Sequence, residues 1–80
     1  MTTVTVFTQD DCPPCKIVKW FLQDHGVDFT EKNITSDPSA KKELTEQYGI
    51  LSTPAVIIQD QIFTGFDLPR LMDALGIQGN

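Results

Sequence analysis

Both cysteines of the chain stand in one stretch, Asp10-Asp11-Cys12-Pro13-Pro14-Cys15-Lys16. Two sulfurs with two residues between them suit three kinds of chemistry: thiol–disulfide exchange, a structural bridge, or ligation of a metal. A metal site calls for about four ligands, and the only other soft or borderline donor is the distant His25. A site within one chain is therefore disfavoured, whereas a cluster held through Cys12 between two chains stays open as an iron–sulfur carrier. A structural bridge fits poorly with a reducing compartment. The start of the chain, MTTVTVFTQDDC, has no basic region and no long apolar segment, so it does not read as a signal peptide and the cytoplasm is the expected location. The balance falls on exchange, with a non-catalytic domain carrying a relic cysteine pair as a further rival.

Exchange needs a thiolate. An ordinary cysteine with a pKa of about 8.5 is only a few per cent ionised at neutral pH, and lowering it by about 2 makes the thiolate the majority form. A helix N-terminus supplies such a shift through its unpaired N–H groups and the positive end of its dipole. With Cys12 exposed at a helix start and Cys15 about one turn on, the expected cycle is asymmetric. Cys12 attacks the partner's disulfide, and Cys15 then resolves the mixed disulfide. Pro13 and Pro14 suit a first helical turn, stiffen the dithiol loop, and have no N–H to offer the sulfur. Its stabilisation must come from later amides, such as those of Cys15 or Lys16. Asp11 is the expected N-cap, and its charge would compete with the thiolate. Lys16 and Lys19 flank the motif on the solvent side.

The surrounding pattern supplies the elements that hold this pair. Thr3–Phe7 alternates and is rich in β-branched residues, a strand. A helix follows the cysteines, with Ile17, Val18, Phe21 and Leu22 as its apolar face, Trp20 and Phe21 as packing residues, and His25-Gly26 at its end. Residues 27–34 alternate again and read as a second strand. Ser39 to Tyr48 reads as a polar helix with Ala40, Leu44 and Tyr48 on one side, stopped by Gly49. Ala55–Ile58 is a short buried strand, joined by a turn at residues 59–61 to a strand over 62–64. Asp67 caps a last helix, Leu68 to Leu75. The order β-α-β-α-β-β-α implies an α/β fold, one mixed four-stranded sheet flanked by helices, and residues 1–80 as a single domain.

The net charge of −5 argues against a nucleic-acid partner or an anionic membrane surface. No apolar run approaches the roughly 20 residues of a membrane span. Neutral or basic protein surfaces are the better match.

Two further segments bear on the site. Thr53-Pro54 opens an apolar strand; it is either a plain strand-initiating proline or a cis-proline that turns the backbone of residue 53 outward to pair with an extended substrate. Gly65-Phe66-Asp67 is explained by a hairpin end and a helix cap, except for the aromatic Phe66.

The strand–CPPC–helix start, TPAVII and TGFD, in this order over nearly the whole chain, resemble the glutaredoxin family with its thioredoxin-like fold. The resemblance implies Cys12 as nucleophile, Cys15 as resolving thiol, Thr53 and Pro54 as a cis-proline substrate platform, and Gly65 and Phe66 as a further substrate contact. Glutathione-using members carry a tyrosine at the place of Pro14, a lysine at the place of Gln9 and a second glycine at the place of Phe66. CPPCKIVKWFLQDHGVDF and the single-glycine TGF are more similar to the NrdH redoxins, a branch that takes electrons from thioredoxin reductase and reduces ribonucleotide reductase. That branch often continues Ser-Gly-Phe-Arg-Pro, and here Asp67-Leu68-Pro69 follows Phe66. The resemblance implies a monomer with no bound cofactor and a redox-active Cys12–Cys15 disulfide, with glutathione as the alternative electron source.

Overall fold

A computed structural model of the protein describes residues 3–59, 61–64 and 68–76. In chain order the elements are β1 (Val4–Thr8), α1 (Pro13–Asp24), β2 (Thr30–Asn33), α2 (Pro38–Lys42), a π-helical segment (Glu43–Gln47), β3 (Ala55–Ile58), β4 (Gln61–Thr64) and α3 (Leu68–Leu75). The four strands form one sheet in the order β2-β1-β3-β4. β1 pairs with β2 in parallel, Thr5 opposite Thr30 and Thr8 opposite Asn33. β3 runs antiparallel to β1, with Val6 opposite Val56, and β4 antiparallel to β3, with Val56 opposite Phe63. The mixed sheet and the element order agree with the sequence reading.

The period-2 alternation of the strands divides the core into two layers. Val4, Val6, Val56, Ile58 and Phe63 face Val18 and Leu22 of α1 and Leu71 of α3. Phe7, Ala55 and Ile57 face Ala40 of α2 and Leu44 of the π-helical segment. Phe7 meets Tyr48 edge-on, ring centroids 5.9 Å apart. Thr8, on the α1 side of the sheet, is the buried polar residue at the C-terminal end of β1, where the chain leaves for the cysteines.

Several boundaries differ from the pattern-based expectation, each for a local reason. β2 begins at Thr30 rather than Val27. The Val27 N–H donates to Leu22 O at 2.9 Å, and Gly26 takes a φ of +69°, so this stretch closes the C-terminus of α1 instead of joining the ladder. Val27 and Phe29 still pack on the α1-side core. The second helical region is not one regular α-helix. Asp37 caps α2 by accepting from the Ser39 and Ala40 N–H groups, and the chain then widens into the π-helical segment over residues 43–47. β4 includes Gln61.

Two expectations about α1 fail. Trp20 is not a packing residue: it is 74% exposed, and Ile17 is 41% exposed. The buried line runs through Cys15, Val18 and Leu22. At about 100° per residue, Trp20 lies two steps from both Val18 and Leu22 and points away from the sheet. Phe21 is half-buried and packs on the core as expected, with the His25 ring 4.6 Å away at the helix end. No described helix is long and apolar enough to cross a membrane.

Candidate functional site: a disulfide at a helix N-terminus

Cys12 and Cys15 are joined in a disulfide, with Cα atoms 5.3 Å apart. Pro13 and Pro14 occupy the first turn of α1, where the absent N–H groups break no intrahelical hydrogen bond. The residue that caps this helix is Cys12 itself. The Cys15 N–H donates to Cys12 Sγ at 3.2 Å and also to Cys12 O at 3.1 Å. Asp11 is therefore not the N-cap. It stands one residue outside the helix with a φ of +56°, in the left-handed region that aspartate tolerates better than most side chains. The amide donor expected for the sulfur is Cys15 and not Lys16, whose N–H goes to Cys12 O at 3.3 Å. Cys12 is less exposed than the sequence suggested, at 7%, yet it is the more accessible residue of the two, Cys15 being 1% exposed.

The second wall comes from the loop before β3. The Thr53–Pro54 peptide bond is cis, the geometry that the substrate-platform reading requires. Thr53 Oγ1 lies 3.6 Å from Cys12 Sγ as a hydrogen-bond donor, and Gln9 Nε2 donates to the same Oγ1 at 2.8 Å. Thr53, distant in sequence, thus links Gln9 to the Cys12 sulfur. Gly65 and Phe66, expected to extend this wall, lie outside the described residues, as does Asp67.

An open cleft of about 400 Å³ runs past Gln9 and both cysteines and is lined also by Asp10, Asp11, Lys16 and Glu31. Its floor is tied together. Thr8 Oγ1 donates to Glu31 Oε2 at 2.8 Å, and Lys19 Nζ lies 3.0 Å from the same oxygen. The Thr8 hydroxyl above all holds the Glu31 carboxyl below its ordinary range; burial opposes it, and the Lys19 ammonium adds to the lowering through its hydrogen bond and its charge. Asn33 Nδ2 donates to Asp10 Oδ1 at 3.1 Å, and the Asp10 N–H donates to Thr35 Oγ1 at 3.0 Å. The loop entering Cys12 is anchored through these two bonds to the end of β2 and the turn after it. Thr8, Glu31 and Asn33 were not singled out from the sequence. The sequence reading ends this strand at Phe7, whereas β1 runs to Thr8; carrying its alternation one residue further would have put Thr8 on the α1 face beside the motif. Nothing in the sequence paired residue 31 with residue 19. Among the described residues, no three His, Cys, Asp or Glu side chains come together as a metal-ligand group.

A mixed four-stranded sheet bearing a Cys-x-x-Cys disulfide at a helix N-terminus, beside a cis-proline, defines a thiol–disulfide oxidoreductase of thioredoxin-like fold. Similarity to known proteins narrows this class. The family model described as glutaredoxin matches residues 4–63. The glutaredoxin-like protein NrdH of Lactococcus lactis subsp. cremoris is 35% identical over 63 residues, which cover 79% of this chain and 86% of that protein. NrdH of Escherichia coli K12 is 33% identical over 63 residues, 79% of this chain and 76% of that protein. The solved structure of the Escherichia coli NrdH-redoxin superposes with a TM-score of 0.80 at 30% identity, covering 96% of this chain and 99% of that one. The crystal structure of the thioredoxin-like protein BC3987 superposes with a TM-score of 0.86 at 38% identity, covering 89% and 97%. The chain belongs to the glutaredoxin family, and it is similar to that family's NrdH members.

Proposed function

We propose that residues 1–80 act as one monomeric redoxin domain that reduces protein disulfides, an NrdH-like electron donor recharged by thioredoxin reductase and serving a substrate such as ribonucleotide reductase. In the reduced chain the Cys12 thiolate attacks one sulfur of the partner's disulfide. That bond breaks, and the partner's second sulfur leaves as a thiolate and takes up a proton. Cys15 then loses its proton, and its sulfur attacks Cys12 Sγ and displaces the partner's first sulfur, which is also protonated. Two electrons have passed to the partner, with one proton matched by the one Cys15 gives up and the other taken from solvent, and Cys12–Cys15 is the disulfide described above. A reductase dithiol returns the electrons, so the cycle needs no bound prosthetic group.

One observation carries this reading: Cys12 Sγ caps α1 and at the same time lies 3.6 Å from Thr53 Oγ1, on the residue before cis-Pro54. A sulfur so placed is stabilised as a thiolate and adjoins the backbone of residue 53, where an extended substrate would pair. Thioredoxin reductase is favoured over glutathione as donor because the place of the family's glutathione-contacting lysine holds Gln9. Its amide is engaged by Thr53 rather than offering a cation to a carboxylate.

The test follows NADPH oxidation with the oxidised chain as substrate, once with thioredoxin reductase and once with glutathione plus its reductase. Rapid turnover with thioredoxin reductase, lost in Cys12→Ser, is the expected result. Turnover only in the glutathione arm would overturn the donor assignment, and activity surviving in Cys12→Ser would overturn the reading of the site.

A further inference from the structure

We propose that Gln9 is a positioning residue for Cys12, acting through the Thr53 hydroxyl; the proposal rests on the reading of Cys12 as the attacking thiol. A cap residue ordinarily accepts from the N–H group of the second or third helical position. Here the second position is Pro14, so the Cys15 amide, at 3.2 Å, is the single backbone donor to Cys12 Sγ left from that pair. The CPPC sequence leaves the Cys15 amide alone to serve the cap from this turn, and the Thr53 hydroxyl adds a second donor, 3.6 Å from the sulfur.

A hydroxyl rotates, and it carries one proton against two lone pairs. Its value to a thiolate therefore depends on what else it bonds. Gln9 Nε2 donates to Oγ1 at 2.8 Å. That bond fills a lone pair and leaves the hydroxyl proton directed at Cys12 Sγ. The opposite amide orientation would present Oε1 as an acceptor, draw the same proton away from the sulfur, and reverse the effect. A hydrogen bond from a neutral donor strengthens as its acceptor becomes charged, so the Thr53 bond favours the thiolate over the disulfide or the thiol. It serves Cys12 as attacking group toward the substrate and as leaving group when a reductase completes recharging.

Gln9 is uncharged. Its hydrogen bond goes to Thr53, so its influence on Cys12 is expected to pass through that hydroxyl, while Asp10, Asp11, Lys16, Lys19 and Glu31, the charges that line the cleft it shares with Cys12, stay constant when residue 9 or 53 is changed. This separates the device from general electrostatics.

The experiment titrates Cys12 in the reduced full-length chain from the pH profile of its alkylation by iodoacetamide, with the modified cysteine located by mass spectrometry. Thr53→Val is expected to raise the Cys12 pKa by about one unit, the size of one charge-assisted hydrogen bond. Gln9→Leu is expected to raise it by about half that, since water partly replaces the amide at this exposed position. Thr53→Ser retains the wild-type value. The double variant Gln9→Leu/Thr53→Val matches Thr53→Val alone, and the reduction potential falls in the same order as the thiolate is destabilised. Thr53→Ala serves in place of Thr53→Val if the latter does not fold. An unchanged or lowered pKa in Gln9→Leu overturns the proposal, as does a Gln9→Leu effect that persists without the Thr53 hydroxyl. Either result alongside an inactive Cys12→Ser would leave the exchange function standing and remove only Gln9's part in it.

Discussion

Asp11 is the residue at which charge and conformation have to be separated. Its φ of +56° turns the chain so that Cys12, the next residue, becomes the helix cap. Its carboxylate shares the cleft beside both cysteines. The sequence placed negative charge next to a group that must itself become negative, and assigned that charge to capping. The cap proves to be a sulfur, so the aspartate is present at the site without satisfying the helix. A residual role follows from electrostatics: an acid beside Cys12 restrains the lowering of its pKa, and a less depressed thiol is intrinsically the better nucleophile. Asn tolerates the left-handed region as Asp does. Asp11→Asn should therefore keep the fold and lower the Cys12 pKa by up to about one unit, the scale of a neighbouring charge in a solvated setting. A β-branched residue cannot take this backbone conformation cheaply, and Asp11→Val should cost about 1–2 kcal/mol in urea denaturation. If Asp11→Asn left the thiol titration unchanged, the electrostatic role would be lost; if Asp11→Val were as stable as wild type, the conformational one would be.

At the scale of elements, the legible parts were those governed by a period. The alternation of β1 and the apolar run of β3 located two strands, and both proved central in the sheet. The Cys-Pro-Pro-Cys spacing located the start of α1. What the pattern missed depended on contacts between distant segments. Trp20 was assigned to packing because aromatic residues favour cores, but Cys15, Val18 and Leu22 already complete the buried line of α1. The spacing of Ala40, Leu44 and Tyr48 suggested one regular helix, and a periodicity so short cannot distinguish an α-turn from the π-helical segment found at residues 43–47. Glu31 was an unremarked strand residue, although it joins three elements: Thr8 of β1 and Lys19 of α1 both bond to it. Those bonds depress its pKa below the ordinary glutamate value of 4.5. A carboxyl with a lowered folded-state pKa adds stability that is fully present above its unfolded value and is lost as pH falls through the folded value. Glu31→Gln should thus be less stable than wild type at neutral pH, by no more than a few tenths of a kcal/mol for so solvated a pair. The difference should shrink below pH 4.5 and vanish in stronger acid. Urea midpoints across this range measure it, and a difference independent of pH would mean that the ion pair and the Thr8 bond do not tie these elements together.

The molecule as a whole acts on partners through its field. It carries a net charge of −5 and has a radius of gyration of 11.9 Å. With a Debye length of about 8 Å at physiological ionic strength, the charges near the exchanging sulfur dominate what a partner meets, and the far side is largely screened. Asp10 and Asp11 stand immediately before Cys12, and Asn33 holds Asp10 in place at 3.1 Å. These negative charges should make the rim of the site selective for disulfides in basic surroundings, because complementary charge accelerates encounter more than it tightens the final complex. Two disulfide peptides of equal length, one flanked by lysines and one by glutamates, test this. The reduced chain should exchange faster with the cationic peptide at low salt. The advantage should narrow toward equality near 1 M, where the Debye length is about 3 Å. Asp10→Asn/Asp11→Asn should narrow it at low salt by several-fold, while changing exchange with a neutral peptide only through the Cys12 pKa, which titration of the same variant supplies. A preference that survives high salt would have to come from shape or apolar contact instead, and the acids before Cys12 would then have no part in choosing the partner.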